Sequence, residues 1–284
     1  MLGSMVYHYL SQPNQLEVAG SVRFHSEDFI FFDASERVSE QLHSLRDFNY
    51  IINCIGVIKP YCKDDDAVGI NRAIKVNALF PFELGDWADR NNVNIIQIAT
   101  DCVYSGTQSK YTEDSPHDAL DAYGKTKSLG EYKGGHFLNI RCSIIGPEKK
   151  NKVSLLEWFL NQPPKSQLNG FSHYLWNGVT TLQFAELCEQ IILQDRFDDL
   201  ITISPVHHFV PNNMVSKYEL LTIFREVFKK DFSIRKVDNV GPPVDRTLAS
   251  KFSSLSEIFG YDISMIDAVT RLKQYIDEYQ DWSG

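Results

Sequence analysis

The feature that most constrains the fold is a switch between two hydrophobic periods in the first half of the chain. Short runs rich in Ile, Val and Phe alternate there with longer stretches of helical spacing. Several runs are apolar almost throughout, as strands covered by helices on both faces must be. The pattern therefore predicts a doubly wound α/β domain on a parallel, Rossmann-type sheet. The predicted strands lie in EVAGSVRF from Glu17, FIFF from Phe29, YIINCIG from Tyr50, NIIQIAT from Asn94 and FLNIRCSIIG from Phe137.

After about Gly146 the pattern changes to helices separated by loops and brief strand-like pieces, such as LITIS from Leu200. We predict a dinucleotide-binding domain over 1–146 and a smaller, mixed α/β substrate-binding lobe over 147–284, with a cleft between them. Parts of 171–215 are an alternative addition to the first domain.

Serine and glutamate at capping-box spacing mark two helix starts in the second lobe. Ser216 with Glu219 predicts one start, and Ser254 with Glu257 predicts a second helix that ends at Gly260.

Composition excludes several classes of partner. The chain has 28 basic and 37 acidic side chains, a net charge of −9 and no Lys/Arg-rich run, which argues against nucleic acid and anionic membranes. Its five cysteines form no C-x-x-C pair, so neither a zinc site nor a disulfide framework is indicated. His207 and His208 are adjacent on a predicted strand and point in different directions, so we predict no metal site. With no membrane span and no recognisable secretory signal, the sequence favours a reducing cytoplasm.

The stretch DAYGKTK places Tyr123 and Lys127 four residues apart at the start of a predicted helix. This spacing sets both side chains on one helix face. An ammonium beside a phenol favours the phenolate, which suits an acid/base catalyst. A tyrosine and a lysine at this spacing also occur by chance, so the pair needs support from other residues.

Support comes from IATDCVYSG, a buried strand that ends in Thr100 and Asp101. Ligands of open parallel sheets bind at the carboxyl ends of the strands, where a threonine hydroxyl can orient a substrate carbonyl. Another strand ends in NCIGVIKP, where Gly56 would let the backbone approach a flat ligand closely. The plain alternatives are a polar strand end that caps the next turn and an ordinary glycine turn.

Together these residues resemble the extended short-chain dehydrogenase/reductase superfamily, and most closely its dTDP-4-dehydrorhamnose reductase group. The resemblance rests on ATDCVYSG, YGKTK, NCIG and RCSIIG and runs from the first residues to about DRTLASKF. These motifs are specific for the family but not for the substrate.

The sequence departs from this family at its beginning. In the family the first strand leads into G-x-x-G-x-x-G, which holds the cofactor pyrophosphate. MLGS resembles the tail of that motif, with Gly3 as its third glycine, so the chain resembles an N-terminally truncated member. Loss of a central first strand is expected to leave unpaired edges on two neighbouring strands and to weaken pyrophosphate binding. We favour a start upstream of Met1 over a degraded, inactive copy.

Cofactor choice follows partly from the strand end SVRF. Arg23 there suits the 2′-phosphate of NADP better than the ribose hydroxyls of NAD, unless it is merely a solvent-facing charge. The resemblance further implies a set of cofactor contacts. These are Asp33 and Ala34 beside the adenine, Cys54, Ile55 and Gly56 along the cofactor, and Tyr123 and Lys127 at the nicotinamide end.

The resemblance implies NADPH-dependent reduction of a 4-keto group on a nucleotide-diphospho-deoxysugar, in the synthesis of cell-surface polysaccharide precursors. Tyr123 would donate the proton, Lys127 would lower its pKa and Thr100 would orient the carbonyl, with Asp101 assisting. The substrate contacts implied in the second lobe are Trp176, Asn177, Thr180 and Arg246.

Alternatives remain open for these assignments. Arg246 would pair with a diphosphate or with Asp245 or another acid, and Trp176 would stack on a base or belong to the core. The rival functions are a sugar-nucleotide epimerase, a dehydratase, and a non-catalytic nucleotide-binding or regulatory subunit. Oligomeric state also remains open, with a homodimer as one option.

Overall fold

In the computed structural model, which describes residues 1–13, 15–238 and 240–279, helices and strands alternate through the first half of the chain as predicted. The α-helices within these ranges are α1 Leu2–Leu10, α2 Val38–Gln41, α3 Ala67–Ala73, α4 Phe80–Asn91, α5 Ala122–Leu129, α6 Leu155–Leu160, α7 Thr181–Leu193, α8 Phe197–Ile203, α9 Lys217–Val227, α10 Ser254–Phe259 and α11 Met265–Glu278. The strands are β1 Ser21–Val22, β2 Ile30–Phe31, β3 Tyr50–Asn53, β4 Asn94–Ala99, β5 Phe137–Arg141, β6 Ile144–Ile145, β7 Gln167–Phe171, β8 Tyr174–Trp176, β9 Val179–Thr180, β10 Val206–His208, β11 Val215–Ser216, β12 Ser233–Val237 and β13 Val244–Asp245.

The centre of the first domain is a four-stranded parallel sheet in the order β10-β5-β4-β3. Its middle strands are buried on both faces: Ile95, Ile96, Leu138 and Ile140 have no solvent exposure. Two separate apolar cores pack on the two faces, since Ile95 belongs to one and Ile96 to the other. The predicted doubly wound parallel sheet with a smaller mixed lobe is therefore confirmed. β10 extends this sheet with residues from 206–208.

The first two strands stand apart from that sheet. Among the described strands, β1 pairs with β2 alone, and β3 pairs with β4 alone. β1 and β3 thus each have one unpaired edge, as expected if the family's first strand is missing between them. β1 and β2 are two residues each, much shorter than the predicted runs from Glu17 and Phe29.

The second lobe is mixed, as predicted. β8 pairs antiparallel with β11 and parallel with β13, while β7 pairs with β12 and β6 with β9. The prediction of a strand-like LITIS segment was wrong, because Leu200–Ile203 lie in α8. Phe197 and Leu200, one turn apart, are both buried, which requires helical spacing.

The helix starts follow the capping pattern in one case and depart from it in the other. Ser216 and Glu219 form the expected capping box at the start of α9. At α10 the N-cap is Ser253 instead of Ser254, and its hydroxyl bonds the Glu257 carboxylate, so that predicted box was one residue out of place. Gly260 ends the helix as expected, with a φ of 86° that favours glycine.

A π-helical turn, Ile74–Leu79, joins α3 to α4 without a break in the helix. Pro81 lies at the second position of α4, directly after this turn. π-turns are rare and often accompany functional sites.

Two further features bear on function. Among the helices described here, every one is too short or too polar to cross a lipid bilayer. Within the same residues, no group of three or more His, Cys, Asp or Glu side chains is arranged to hold a metal ion.

Candidate functional site

The carboxyl end of β4 carries the hydroxyl that the sequence singled out. Thr100 directly follows β4 and is 6% exposed. Its Oγ1 accepts a hydrogen bond from the Cys102 backbone N–H at 3.2 Å and so begins a 3₁₀ turn over Asp101–Val103. The Thr100 hydroxyl acts on the pKa of the Tyr123 phenol, so the two side chains are neighbours. The structure therefore brings together the strand-end hydroxyl and the phenol.

Close packing of α5 on this turn explains how they meet. The Asp121 carboxylate caps α5 by accepting from the Gly124 N–H at 2.8 Å, and Lys59 holds that carboxylate at 2.7 Å. A Cβ atom at Gly124 would lie 2.4 Å from the Cys102 carbonyl oxygen. Only glycine at this position allows α5 to approach the turn closely enough for Tyr123 to reach Thr100.

Lys127 lies one helical turn after Tyr123 and is 8% exposed. Its Nζ donates a hydrogen bond to the carbonyl oxygen of Ile98, in β4, at 2.9 Å. Burial lowers the pKa of this ammonium to about 8, and the carboxylate of Glu131 opposes the shift. If the ammonium form of Lys127 were stabilised somewhat less, its pKa would fall below 7 and the side chain would be uncharged at neutral pH.

The electrostatics of the phenol correct one sequence-based expectation. Burial raises the pKa of Tyr123 above its ordinary value, and the charges of Cys102 and Asp101 act in the same direction, while the hydrogen bond with Thr100 opposes them. The main effects on the pKa of Tyr123 do not include the expected lowering by Lys127, and desolvation of the buried phenolate is the largest of them. Tyr123 is held as a neutral phenol, the form that donates a proton.

Asp101 is a buried carboxyl group beside this pair. Burial raises its pKa, while the charge of Arg246 and hydrogen bonds with Cys102, Thr100 and Ser143 lower it. Asp101 is 4% exposed. A carboxyl group in this setting holds a proton more readily than one in water, so it is a second candidate acid.

The loop after β3 is fixed by two buried asparagines. Asn53 Oδ1 accepts from the Ile55 N–H at 3.0 Å, and Asn77 Oδ1 accepts from the Val57 N–H at 2.7 Å. Asn77 Nδ2 donates to the Val57 carbonyl at 2.9 Å and to Thr126 Oγ1 at 3.3 Å. Asn77 lies in the π-turn, so this turn connects the loop to the helix of Tyr123. Sequence analysis missed it, although a lone asparagine in the apolar run KVNALF was a signal.

Within that loop Gly56 is exposed, and a Cβ atom there would come no closer than 3.5 Å to another group. The backbone at Gly56 is open to a ligand, but no protein atom lies close enough to require glycine at this position. Gly3, in α1, faces Cys54: a Cβ atom added at Gly3 would lie 3.5 Å from the Cβ of Cys54. Burial raises the pKa of the Cys54 thiol to about 12, so it is an apolar surface. Ile55, which lies between Cys54 and Gly56 in the chain, is half-buried.

The predicted adenosine-binding residues lie at the ends of β1 and β2. Arg23 is exposed immediately after β1, and Asp33 follows β2. Although burial acts in the other direction, hydrogen bonds from Ser35 and the charge of Arg23 lower the pKa of Asp33. Ala34 is buried at 5% exposure. Arg23 and Asp33 thus follow the two paired strands β1 and β2, which form no ladder with β3.

The four predicted substrate residues separate into different settings. The Asn177 side chain bonds both backbone groups of Leu248, at 2.8 and 2.9 Å, and Trp176 packs partly buried against the core. Thr180 is fully buried and forms a capping box with Gln183 at the start of α7. A ligand cannot reach its hydroxyl, so we remove Thr180 from the substrate site.

Arg246 is the member of this set whose charge reaches the buried carboxyl group. Its guanidinium donates to the carbonyl oxygens of Tyr104 and Ser105, at 3.0 and 3.3 Å. In the described part of the chain it forms no ion pair with Asp245 or another acid within 4 Å, so that alternative is not met. Its positive charge lowers the pKa of Asp101 against the effect of burial.

A buried ion pair that involves Glu131, just beyond the end of α5, was also missed. Glu131 and Arg141 face each other with two N–H···O contacts of 2.7 Å. Their sequence signals are a glutamate four residues after Lys127 and an arginine in the mostly apolar strand FLNIR.

Comparisons with known proteins agree with this architecture. The family model described as "RmlD substrate binding domain" matches residues 2–250. Methionine adenosyltransferase 2 subunit beta of Rattus norvegicus is 24% identical over 237 residues, which cover 80% of this chain and 69% of that protein.

Two solved structures show the same fold. A hypothetical dTDP-4-dehydrorhamnose reductase from Sulfolobus tokodaii superposes with a TM-score of 0.73 at 18% identity, covering 94% of this chain and 95% of that one. The dTDP-4-dehydrorhamnose reductase of Bacillus anthracis, solved in complex with NADP, gives 0.67 at 13% identity, covering 90% and 92%.

Proposed function

Because the chain belongs to the RmlD substrate binding domain family, we propose that it reduces the 4-keto group of a nucleotide-diphospho-deoxysugar with NADPH. The observation that carries this proposal is the position of Thr100 and Tyr123 as neighbours at the carboxyl end of β4. Lys127 supports it from the same helix face, on the Ile98 carbonyl.

The residues present fit a nicotinamide dinucleotide. Gly56 offers an open backbone surface after β3, and Arg23 offers an exposed cation after β1 that suits a 2′-phosphate. Asp33 and Ala34 would hold the adenine end, and Cys54, Ile55 and Gly3 would line the middle. Bound NADPH would supply the hydride.

The chain's own residues would supply alignment and the proton. Thr100 would hold the substrate carbonyl by a hydrogen bond, and the neutral phenol of Tyr123 would give its proton to the carbonyl oxygen as hydride reaches the carbon. The Lys127 ammonium would then stabilise the phenolate that remains. Asp101 would assist on the substrate side. Arg246, Trp176 and Asn177 would contact the nucleotide or position the loop that does, with the Arg246 guanidinium toward the diphosphate.

The test is NADPH consumption with a panel of 4-keto nucleotide sugars, followed by absorbance. Tyr123→Phe is expected to lose most of the activity and to keep cofactor affinity, because only the proton donor is removed. Tyr218→Phe, a half-buried phenol on α9, is the matched control and should retain activity. Unchanged turnover in Tyr123→Phe would remove the phenol from its assigned role.

A second candidate is a non-catalytic regulatory subunit, favoured by the similarity to methionine adenosyltransferase 2 subunit beta. In that case the protein would bind NADP or a nucleotide sugar, no substrate would consume NADPH, and Tyr123→Phe would leave binding unchanged. An epimerase would instead interconvert two nucleotide sugars without net NADPH use, which product analysis reveals.

We further propose a cytoplasmic location, a role in the synthesis of cell-surface polysaccharide precursors, and a homodimer as the assembly to test. Five cysteines that form no disulfide support a reducing compartment. The net charge of −9 supports a partner other than nucleic acid.

A further inference from the structure

A second face of α5 lines an open cavity of about 200 Å³. The walls of this cavity carry three polar side chains, His117, Lys125 and Ser128, and the apolar side chains of Val103, Ala119 and Leu129. Lys125 and Ser128 are three residues apart on α5, so they share this face of the helix. Among the described residues, none of those assigned above to cofactor or substrate lines it. The cavity is therefore separate from the site of Tyr123.

A serine and a histidine are hydrogen-bonded in this cavity. Ser128 Oγ lies 2.6 Å from His117 Nδ1, which is a short distance for such a bond. On the other side of the imidazole, Nε2 lies 3.8 Å from Oε2 of Glu131. A carboxylate can only accept a hydrogen bond, so it favours the tautomer with the proton on Nε2. Nδ1 then carries the lone pair, and the Ser128 hydroxyl is the donor.

The carboxylate and the imidazole are both held in place. Arg141 donates from Nε and Nη2 to the two carboxylate oxygens of Glu131, both at 2.7 Å, and the two side chains are 3% and 4% exposed. The ring of Tyr104 meets the imidazole of His117 edge-on, with 5.6 Å between the ring centroids and 84° between the planes. A hydroxyl, a carboxylate and an aromatic ring therefore fix the orientation of the imidazole.

The sequence of groups, hydroxyl to imidazole to carboxylate, is that of an activated nucleophile. Burial lowers the pKa of His117, so the imidazole is neutral at neutral pH and can accept a proton. The 3.8 Å to Glu131 is longer than a hydrogen bond, and contacts of this kind often tighten only when substrate binds. Lys125 forms no ion pair within the described part of the chain, so its ammonium is available to a negative charge that develops in the cavity.

We propose that Ser128 is a second reactive site, a nucleophile that takes a short acyl group from an ester, with His117 as its general base and Glu131 as the positioning residue of the imidazole. The Ser128 oxygen attacks the carbonyl carbon of the ester while its proton passes to His117 Nδ1. The bond between that carbon and the alcohol oxygen breaks, and the alcohol leaves with the proton. Water then gives a proton to His117 and adds to the acyl carbon. The Ser128 oxygen takes this proton back as the free acid leaves.

The size and the lining of the cavity define the class of substrate. Its volume of about 200 Å³ lies below the roughly 300–1,000 Å³ of pockets for drug-sized ligands. A short acyl chain fits against the apolar walls, whereas a nucleotide sugar does not. The reaction uses no nicotinamide cofactor, so it is independent of the reduction proposed above.

The experiment measures the reactivity of the full chain at neutral pH, without NADPH or a nucleotide sugar. A fluorophosphonate forms an O–P bond with an activated serine and releases fluoride. It should label Ser128, and mass spectrometry of the digested protein locates the adduct. p-Nitrophenyl acetate should release nitrophenol with the wild-type protein, and Ser128→Ala should lose most of this release.

Variants of the histidine separate a chemical role from a structural one. His117→Gln should slow the labelling of Ser128 about 100-fold, because the general base is removed. His117→Ala leaves room for a free imidazole, and imidazole added to the solution should restore part of the labelling rate. Circular dichroism checks that each variant is folded. Ser115→Ala is the matched control, since Ser115 is a half-buried serine two residues from His117 whose hydroxyl bonds Thr112, and its loss should leave both rates unchanged.

Three results would each overturn the proposal. They are the absence of an adduct on Ser128, an equal labelling rate in wild type and His117→Gln, and equal release of nitrophenol by wild type and Ser128→Ala. NADPH consumption with a nucleotide sugar, without reaction at Ser128, would refute the second site alone. Reaction at Ser128 without NADPH consumption on any nucleotide sugar would refute the proposed function alone.

Discussion

Replacing Asn77 with alanine tests whether the π-turn holds the loop after β3. The substitution removes the acceptor of the Val57 N–H and a donor to the Val57 carbonyl, hydrogen bonds of 2.7 and 2.9 Å. Val57 is 8% exposed, so water reaches these groups poorly. The third bond, to Thr126, is less critical because that hydroxyl also donates to the carbonyl oxygens of Ala122 and Tyr123.

Each buried backbone group left unpaired costs roughly 1–3 kcal/mol, so two of them cost roughly 2–6 kcal/mol. We expect the free energy of unfolding to fall by about 3 kcal/mol, because the loop can move toward water and recover part of the loss. The assay is urea denaturation followed by circular dichroism, together with the affinity for NADPH, which should fall with the loss of loop order.

Asn71→Ala is the matched control, since Asn71 is exposed on the preceding helix α3 and has no side-chain hydrogen bond recorded in the described structure. It should change the unfolding free energy by no more than about 0.5 kcal/mol. Equal effects of Asn77→Ala and Asn71→Ala would refute the reasoning, because burial and pairing would then have no energetic consequence at this turn.

Three further outcomes follow from the structure. Thr180→Ala should lower stability by about 1 kcal/mol through loss of the α7 cap, and should leave kcat unchanged; a selective fall in kcat would return Thr180 to the substrate site. Arg23→Ala should raise KM for NADPH about tenfold and leave KM for NADH nearly constant, because a charge-assisted contact to a phosphate contributes about 1.5 kcal/mol; parallel changes would exclude a 2′-phosphate contact. Burial lowers the pKa of His208 from 6.5 to about 4, against the charge of Glu113, so its neutral form stabilises the fold above pH 6.5 and that stability is lost as pH falls toward 4. In His208→Gln, unfolding free energy measured across this window should fall less steeply than in wild type, and identical slopes would assign the pH dependence to other groups.

The parts of the fold that follow local pattern could be predicted from sequence. β4 and β5 are apolar on both faces and bounded by polar residues, so their period and length were readable. The roles of Thr100 and Tyr123 were predicted from a strand end, a helix start and the family resemblance, and they remain predictions. The strand prediction for LITIS was wrong because a short apolar run has no clear period. The burial of both Phe197 and Leu200, three residues apart, is typical of a helix.

Features set by distant contacts could not be predicted. The lengths of β1 and β2 are set by where these two strands pair with each other, which the longer apolar runs around them do not mark. The protonation of Tyr123 depends on how much water the folded chain excludes, which a lysine four residues away does not report. Asn77 acquires its role only when the π-turn meets the β3 loop, and the Glu131–Arg141 pair forms between a helix end and a strand.

Among the described strands, the open edges of β1 and β3 are expected to affect how copies of this chain associate. Open backbone donors and acceptors along β1 and β3 attract any extended segment, including that of another molecule. Mutual repulsion from a net charge of −9 opposes such encounters at low ionic strength. Added salt screens that repulsion and leaves the backbone attraction intact, so this protein should be handled in dilute buffer.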